Sequence, residues 1–293
     1  MAIREITIET PPGIGDIFWC WRKLVPHFDV INCCILVPGD NRNMDRNHLA
    51  RRAERWIPLF PKAGRVSFRY SPQNDHRRCT REHFCMNELL RKYDEGQRTF
   101  LYGVNGPVER GTPLEDLDKE KCESYLTVKS EKCDIPDDYY IFYCSGSTDS
   151  PHCMNGPNGT WPLEKWHKFL VKTHEKLGGT AVFMGATYDV NVLKSFEEFA
   201  LKNHINFRTY RNEEPAKVMH VIKNAKFFIG YQSGLNVLAD NEKIRQVELI
   251  FNKYRQIPYM WAIPEGRGKF YNGMNFDTPM EEILSFIPDE KKF

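Results

Sequence analysis

The sequence lacks several features that would place a protein in a class at once. Its 293 residues contain no apolar run long enough to span a bilayer and no low-complexity tract, so we expect a globular protein without a transmembrane segment. Charged Arg4 and Glu5 and the pair Pro11-Pro12 interrupt the N-terminal region, which therefore lacks the pattern of a secretory signal peptide. Nine cysteines without such a signal predict reduced thiols in a cytoplasmic protein.

Paired Cys-x2-Cys knuckles, a strong sequence sign of a zinc site, are also missing. His76, Cys79, His83 and Cys85 have ligand types near zinc spacing, but part of this stretch lies on a predicted helix. We therefore expect no metal ion, and these four residues remain the open alternative.

Neither sign of charge is in large excess, since the formal net charge is only +2, but the charges are unevenly distributed along the chain. Residues 40–99 hold 14 Lys and Arg against 8 Asp and Glu, whereas residues 100–140 hold 5 against 10. Arg51, Arg52 and Arg55 lie on one predicted helix of the basic segment. A solvated helix face is the usual explanation of such a run, and a binding surface for an anionic partner is the alternative.

Strand-like and helix-like segments alternate along the chain, which predicts parallel α/β sheets. The predicted strands are 5–10, 30–37, 66–70, 99–104, 139–144, 180–185, 205–210, 227–230 and 247–250. The predicted helices are 47–60, 81–93, 163–177, 189–201, 215–223 and 279–286. Because the pattern restarts after the acidic stretch 130–138, we predict two domains, 1–135 and 136–293, with a cleft between them.

The first turn carries Gly13, Gly15 and Asp16 between a strand and an apolar helical run. A glycine-rich turn that opens a helix exposes backbone N–H groups. Asp16 has two interpretations, an N-cap that accepts hydrogen bonds from the first helical amides or a general base at the mouth of a cleft. The turn taken alone favours the N-cap.

Two segments of the second half place small polar residues directly after a strand. They are Ser145, Gly146, Ser147 and Thr148 after the strand 139–144, and Ser233 and Gly234 after the strand 227–230. Hydroxyls and amides at the carboxyl end of a strand suit phosphate oxygens, and Ser233 can donate to an anionic oxygen. An N-cap or surface loop is the alternative for each residue. Two such helix starts facing a carboxylate of the other domain indicate a nucleotide-binding cleft.

Three motifs carry a resemblance to a known family. Gly13-Ile-Gly15-Asp16, then Thr160-Trp161-Pro162-x3-Trp166, then Gly230-x2-Ser233-Gly234-x4-Ala239 resemble, in order, the signatures of glycosyltransferase family 9. This resemblance to the heptosyltransferase-like group extends from residue 4 to about residue 240. It implies the GT-B fold, two Rossmann-like domains with parallel sheets that face each other across a cleft. It also implies an inverting transfer from a nucleotide sugar, without a catalytic metal or a further cofactor.

The resemblance also implies roles for single residues. Asp16 matches the aspartate that removes the acceptor hydroxyl proton, with Gly13 and Gly15 beside it in an acceptor-binding N-terminal domain. The C-terminal domain would bind the nucleotide sugar. The candidate donor contacts are Ser145, Gly146, Ser147, Thr148, Gly185, Thr187, Asp189, Ser233, Gly234 and Asn236.

The sequence departs from the family pattern at the donor elbow. The usual Asp-Ser/Thr-Gly-x-x-His reads Gln232-Ser233-Gly234-Leu-Asn236-Val237 here, so the acidic residue and the histidine are absent. The donor therefore need not be ADP-heptose. Asp16 is retained, which favours an active enzyme over a binding module that has lost catalysis.

The N-terminal domain of a GT-B enzyme holds the acceptor, so the arginines at 51, 52 and 55 predict an anionic acceptor. Phosphorylated lipopolysaccharide core is the family's usual acceptor, and DNA with a hydroxymethylated base swung out of the duplex is the other. We favour DNA for two reasons. Residues 232–237 depart from the heptosyltransferase pattern, and no exposed amphipathic segment suggests membrane docking. We expect a monomer. The non-enzyme alternative is a basic nucleic-acid-binding protein that retains the fold.

Overall fold

The structure, a computed structural model, describes residues 2–38, 44–71, 86–101, 125–143, 161–231, 233–251, 268–274 and 277–290. The chain divides into two compact units, Met1–Ser130 and Glu131–Phe293. Each unit is built on one parallel sheet. Among the residues just named, no helix combines the length and the apolar character needed to cross a membrane.

The first unit has a four-stranded parallel sheet in the order β3-β2-β1-β4. Its strands are β1 (Glu5–Thr10), β2 (Val30–Pro38), β3 (Ala63–Ser71) and β4 (Thr99–Leu101). Its helices are α1 (Ile14–Leu24), α2 (Met44–Trp56) and α3 (Met86–Asp94), and a 3-10 helix covers Ile57–Leu59. All described connections run strand to helix to strand, as parallel pairing requires.

The core of this unit follows from the spacing of its apolar residues. Ile6 and Ile8 alternate with polar neighbours along β1 and are fully buried on one face of the sheet. Phe18 and Trp21 repeat at helical spacing on α1 and meet the ring of Phe60 at centroid distances of 5.0 and 5.6 Å. The Trp21 indole donates to the Pro61 carbonyl at 2.8 Å, so the chain leaving the 3-10 helix is fixed against α1.

The second unit has a six-stranded parallel sheet in the order β10-β9-β8-β5-β6-β7. Its strands are β5 (Tyr139–Tyr143), β6 (Thr180–Gly185), β7 (Phe207–Arg211), β8 (Phe227–Tyr231), β9 (Gln246–Phe251) and β10 (Gly268–Met274). Its helices are α4 (Leu163–Leu177), α5 (Val190–Lys202), α6 (Pro215–Lys223), α7 (Gly234–Asn241) and α8 (Met280–Leu284), with a 3-10 helix at Thr187–Asp189.

The Trp-Pro-x3-Trp motif lies at the start of α4 and is structural. Trp161 and Trp166 are fully buried in the core, with their ring centroids 5.2 Å apart. The Trp161 indole donates to the Thr278 carbonyl at 2.8 Å, and Lys165 Nζ donates to the same oxygen at 2.7 Å. Pro162 is the N-cap, so α4 begins one residue after it. The motif fastens the C-terminal segment to α4.

The C-terminal end of α4 also contacts the C-terminal segment. Lys176 Nζ donates to the carbonyls of Leu284 and Ile287, each at 2.7 Å. Ile283 of α8 is fully buried in the core of the second unit. The last helix therefore packs on the second unit.

The structure confirms the predicted α/β class and its parallel sheets. Each predicted strand has a counterpart, and β10 is an addition that the sequence did not predict. Gly268, Asn272 and Gly273 in β10 are residues typical of turns rather than of strand interiors. β10 lies at the edge of the sheet and pairs only with β9 among the described strands, where such residues are tolerated.

Candidate functional site

The second sheet reverses its strand order between β5 and β8. From β5 the chain adds β6 and β7 on one side, whereas β8, β9 and β10 follow on the other. Helices that leave two neighbouring strands toward opposite faces open a crevice at the strands' carboxyl ends, where ligands of open α/β sheets bind. Two predicted donor segments follow these two strands, residues 145–148 after β5 and Ser233-Gly234 after β8. Ser145, Gly146, Ser147 and Thr148 lie outside the described residues.

Gly230 keeps β5 and β8 close together at this point. It pairs with Tyr143, the last residue of β5. A Cβ added at Gly230 would lie 2.4 Å from the Tyr143 carbonyl oxygen and 2.9 Å from its Cβ. Glycine is therefore required here by the close approach of the two backbones.

The elbow after β8 consists of Ser233, the N-cap of α7, and Gly234, the first residue of that helix. Both residues are half-buried. The Ser233 side chain makes no capping hydrogen bond to the helix backbone. Its hydroxyl instead donates to Asn236 Oδ1 at 2.9 Å. Backbone N–H groups at the start of a helix favour an anion, so the elbow presents main-chain donors.

Asn236 lies behind Ser233, in the interior of the second unit. It is 1% exposed, its Nδ2 donates to Gln246 Oε1 at 3.4 Å, and its carbonyl accepts from Gln246 Nε2 at 3.4 Å. This geometry favours a structural role for Asn236 over the direct donor contact expected from the sequence.

The segment after β6 contains the other three predicted donor residues. Asp189 is 1% exposed and accepts a hydrogen bond from the Ala186 amide at 2.7 Å, which orders the start of α5. A Cβ at Gly185 would lie 2.8 Å from the Asp189 Cβ, so Gly185 makes room for this turn. Thr187 is exposed, and its hydroxyl donates to Asn212 Oδ1 at 3.0 Å. Of the three, Thr187 is the one whose side chain the structure leaves accessible.

The glycine turn of the first unit also follows a strand beside which the strand order of the sheet reverses. The strand order reverses between β1 and β4, and three residues separate the end of β1 from the start of α1. Gly13 is the N-cap of α1, and its carbonyl accepts from the Ile17 amide at 3.0 Å. Gly15 and Asp16 are the second and third residues of the helix. The N-cap interpretation of Asp16 is therefore wrong, and Asp16 belongs to the first turn, where the helix dipole stabilises a carboxylate.

The three predicted acceptor arginines lie on α2. Arg51 is exposed, pairs with Glu54 at 3.1 Å and places its guanidinium 5.0 Å from the centre of the Phe68 ring on β3. Arg55 is also exposed, and Arg52 is half-buried. Within the first unit, Arg51 and Arg55 therefore belong to the accessible surface.

No group of three or more His, Cys, Asp or Glu side chains is placed to hold a metal ion within the part of the chain that the structure describes. The four candidate ligands His76, Cys79, His83 and Cys85 lie outside that part. A metal bound by these four residues stays an open prediction.

Sequence reasoning missed two buried polar residues of β9, Gln246 and Glu248. Each is 1% exposed, while Val247 between them packs into the apolar core on the opposite face. Burial raises the pKa of the Glu248 carboxyl well above its ordinary value, and the nearby Asp240 charge raises it further. The alternation of polar and apolar residues in this strand could have pointed to these two residues, but the same alternation is typical of a strand with one solvated face.

No protein-family model and no curated protein matches the sequence. Solved structures do match, over nearly the whole chain. A glycosyl transferase family 9 protein from Veillonella parvula DSM 2008 is 14% identical with a TM-score of 0.57, covering 99% of this chain and 96% of that one. E. coli heptosyltransferase WaaC with ADP is 10% identical with a TM-score of 0.53, covering 96% and 99%. E. coli ADP-heptose lps heptosyltransferase II is 14% identical with a TM-score of 0.50, covering 96% of each chain. This likeness shows the fold and confirms the predicted GT-B architecture.

Proposed function

We propose that the chain is a glycosyltransferase that moves a sugar from a nucleotide-sugar donor, with inversion, to a hydroxyl of an anionic acceptor. One observation carries the proposal. In the second sheet, the strand order reverses between β5 and β8, and the donor segments follow these two strands. In the first sheet, the order reverses beside β1, and Asp16 follows that strand. Open parallel sheets bind their ligands at these points, so two of the three motifs of the family resemblance, residues 13–16 and 230–239, lie where ligand chemistry is expected.

The second unit is the proposed donor-binding part. The backbone amides at the start of α7 would hold the diphosphate, and Thr187 offers a hydroxyl at the end of the neighbouring strand. Ser145, Gly146, Ser147 and Thr148 are the further donor contacts that the sequence predicts. Amides that are already oriented stabilise the charge that develops on a leaving diphosphate. The family resemblance also supports transfer without a resident metal ion, for which unchanged product formation in EDTA is the test.

Asp16 in the first unit is the proposed general base. In the reaction its carboxylate takes the proton of the acceptor hydroxyl, and the hydroxyl oxygen forms a bond to the anomeric carbon. The bond from that carbon to the phosphate oxygen breaks, and the nucleoside diphosphate leaves with the electron pair. A position in the first turn of α1 supports this role, because the helix dipole keeps a carboxylate ionised and a base must be ionised.

Asp16→Asn tests the role of the base. We expect transfer to fall by about 100-fold or more, since general base catalysis contributes about 10²–10⁴-fold. Asp94→Asn is the matched control, because Asp94 lies on the surface of the same unit with its side chain 73% exposed. Product is measured by mass spectrometry after incubation with a panel of nucleotide sugars. An Asp16→Asn variant as active as the control would remove the base assignment.

We propose DNA that carries a hydroxymethylated base as the acceptor. The basic segment 40–99 and the exposed arginines of α2 support a polyanionic partner, because such groups neutralise phosphates. Arg51→Ala should weaken DNA binding and lower the slope of log affinity against log salt by about one. Lys172→Ala is the control, since Lys172 pairs with Glu175 on α4 of the second unit much as Arg51 pairs with Glu54 on α2.

Lipopolysaccharide core is the second candidate acceptor. It is favoured by the shared fold with E. coli ADP-heptose lps heptosyltransferase II. Offering hydroxymethylated DNA and lipopolysaccharide core in parallel, each with the full donor panel, distinguishes the two. A chain that binds DNA with a steep salt dependence and releases no nucleotide from any donor would instead be a nucleic-acid-binding protein.

A further inference from the structure

Ser233 is the outer end of a hydrogen-bond chain that begins inside the second unit. Its hydroxyl donates to Asn236 Oδ1 at 2.9 Å, Asn236 Nδ2 donates to Gln246 Oε1 at 3.4 Å, and Gln246 Nε2 donates to the Asn236 carbonyl at 3.4 Å. Asn236 and Gln246 are each 1% exposed. Because bulk water has almost no access to these two amides, their hydrogen-bonding needs are met within the chain.

One group sets the direction of every bond in this chain. The Asn236 carbonyl can only accept, so Gln246 must turn its Nε2 toward it and its Oε1 toward the Asn236 side chain. Asn236 must then offer its Nδ2 to Gln246, which leaves its Oδ1 facing Ser233. The hydroxyl of Ser233 has a single proton, and that proton goes to Asn236.

We infer that Ser233 is a specificity-determining residue that meets the donor as a hydrogen-bond acceptor and binds one of its hydroxyls rather than a phosphate oxygen. This inference rests on the proposed function. Phosphate oxygens accept hydrogen bonds, so a serine whose proton is committed offers them nothing. The diphosphate is then left to the backbone amides at the start of α7, beginning at Gly234, while the oxygen lone pairs of Ser233 receive an O–H of the ribose or of the transferred sugar.

This assignment reverses the role that the sequence predicts for Ser233, which was donation to an anionic oxygen. The reversal comes from Asn236 and Gln246, since without an acceptor behind it the Ser233 proton would be available to the ligand. Both residues act through Ser233 and are positioning residues.

The test is calorimetric titration of the full chain with inorganic pyrophosphate, a nucleoside diphosphate and the matching nucleotide sugar. Ser233→Ala should leave the affinity for pyrophosphate within about twofold and weaken the nucleotide sugar about tenfold, the usual effect of one lost hydrogen bond. An equal loss with the nucleoside diphosphate identifies a ribose hydroxyl, and a loss confined to the nucleotide sugar identifies a sugar hydroxyl. Ser285→Ala is the control, an exposed serine that donates to the Glu282 carbonyl.

Asn236→Leu provides the opposite perturbation, because it frees the Ser233 proton. Affinity for pyrophosphate should rise several-fold, and adding Ser233→Ala should abolish the gain. A folded Asn236→Leu variant without that gain overturns the inference, as does a Ser233→Ala variant that binds pyrophosphate about tenfold more weakly. If the parent chain binds neither pyrophosphate nor any nucleotide sugar, the proposed function and the inference both fall.

Discussion

One lysine, Lys176, contributes strongly to the attachment of the C-terminal segment to α4. Its ammonium donates to the carbonyl of Leu284, the last residue of α8, and to that of Ile287, three residues further along, each at 2.7 Å. Lys176→Met keeps most of the aliphatic stem and removes both bonds. A hydrogen bond to a charged group contributes about 1.5–3 kcal/mol. Because the site is only partly buried, we take half of the sum of the two bonds and expect a loss of about 1.5–3 kcal/mol.

Urea unfolding followed by tryptophan fluorescence measures this loss, since the buried Trp161 and Trp166 report on the same unit. With a slope of about 1–3 kcal/mol per molar urea, the midpoint should fall by about 1 M. Lys172→Met is the matched control on the same helix, where Lys172 forms an exposed pair with Glu175 at 2.7 Å. Such surface pairs contribute about 0–1 kcal/mol. Equal losses at the two lysines would refute the importance of the carbonyl contacts.

Three further substitutions test the fold and the site. Gly230→Ala should cost about 1–3 kcal/mol and weaken donor binding, because the new Cβ would force β8 away from the Tyr143 carbonyl; normal titration of a nucleotide sugar by this variant would contradict the role of the close approach. Trp21→Phe removes the hydrogen bond to Pro61 and should destabilise the first unit by about 1–3 kcal/mol in urea unfolding. Glu248→Gln tests the buried carboxyl, because burial raises the pKa of Glu248 in the folded protein. The stability that the protonated carboxyl contributes is present below the unfolded pKa of about 4.3 and is lost as pH rises through the folded pKa. The neutral variant should therefore gain stability relative to the parent as pH rises above about 4.3, and parallel stability curves for the two proteins would contradict this.

The elements that the sequence predicts best are those whose apolar spacing agrees with clear boundary residues. Helix α4 covers the predicted residues 163–177, because Pro162 marks its start, Gly178 follows its end, and Trp166, Phe169 and Leu170 repeat at helical spacing between them. In the first turn, the same reasoning favours Asp16 as the cap, yet the helix begins at Ile14. Cap preferences are small in energy, so the place where β1 ends decides the boundary.

The buried polar chain behind Ser233 could not be predicted from the sequence. Gln246 and Glu248 alternate with Val247 and Leu249, a pattern that describes a strand with one wet face. Only the position of α7 over that face of β9 shows that the polar side is covered and that its amides must pair internally. The orientation of the Ser233 hydroxyl follows from this pairing, which depends on tertiary contacts rather than on local spacing.

The strand order of the second sheet also determines when each unit can be completed during synthesis. All the described strands of the first unit have been made by Leu101, so that sheet can form early. In the second unit, β5 lies in the middle of the sheet and must wait for its partner β8, and α4 must wait for the Thr278 carbonyl that receives Trp161 and Lys165. Pairing across such long sequence separations is slow. We therefore expect the apolar residues of β5 and α4 to stay exposed on the nascent chain for longer than those of the first unit.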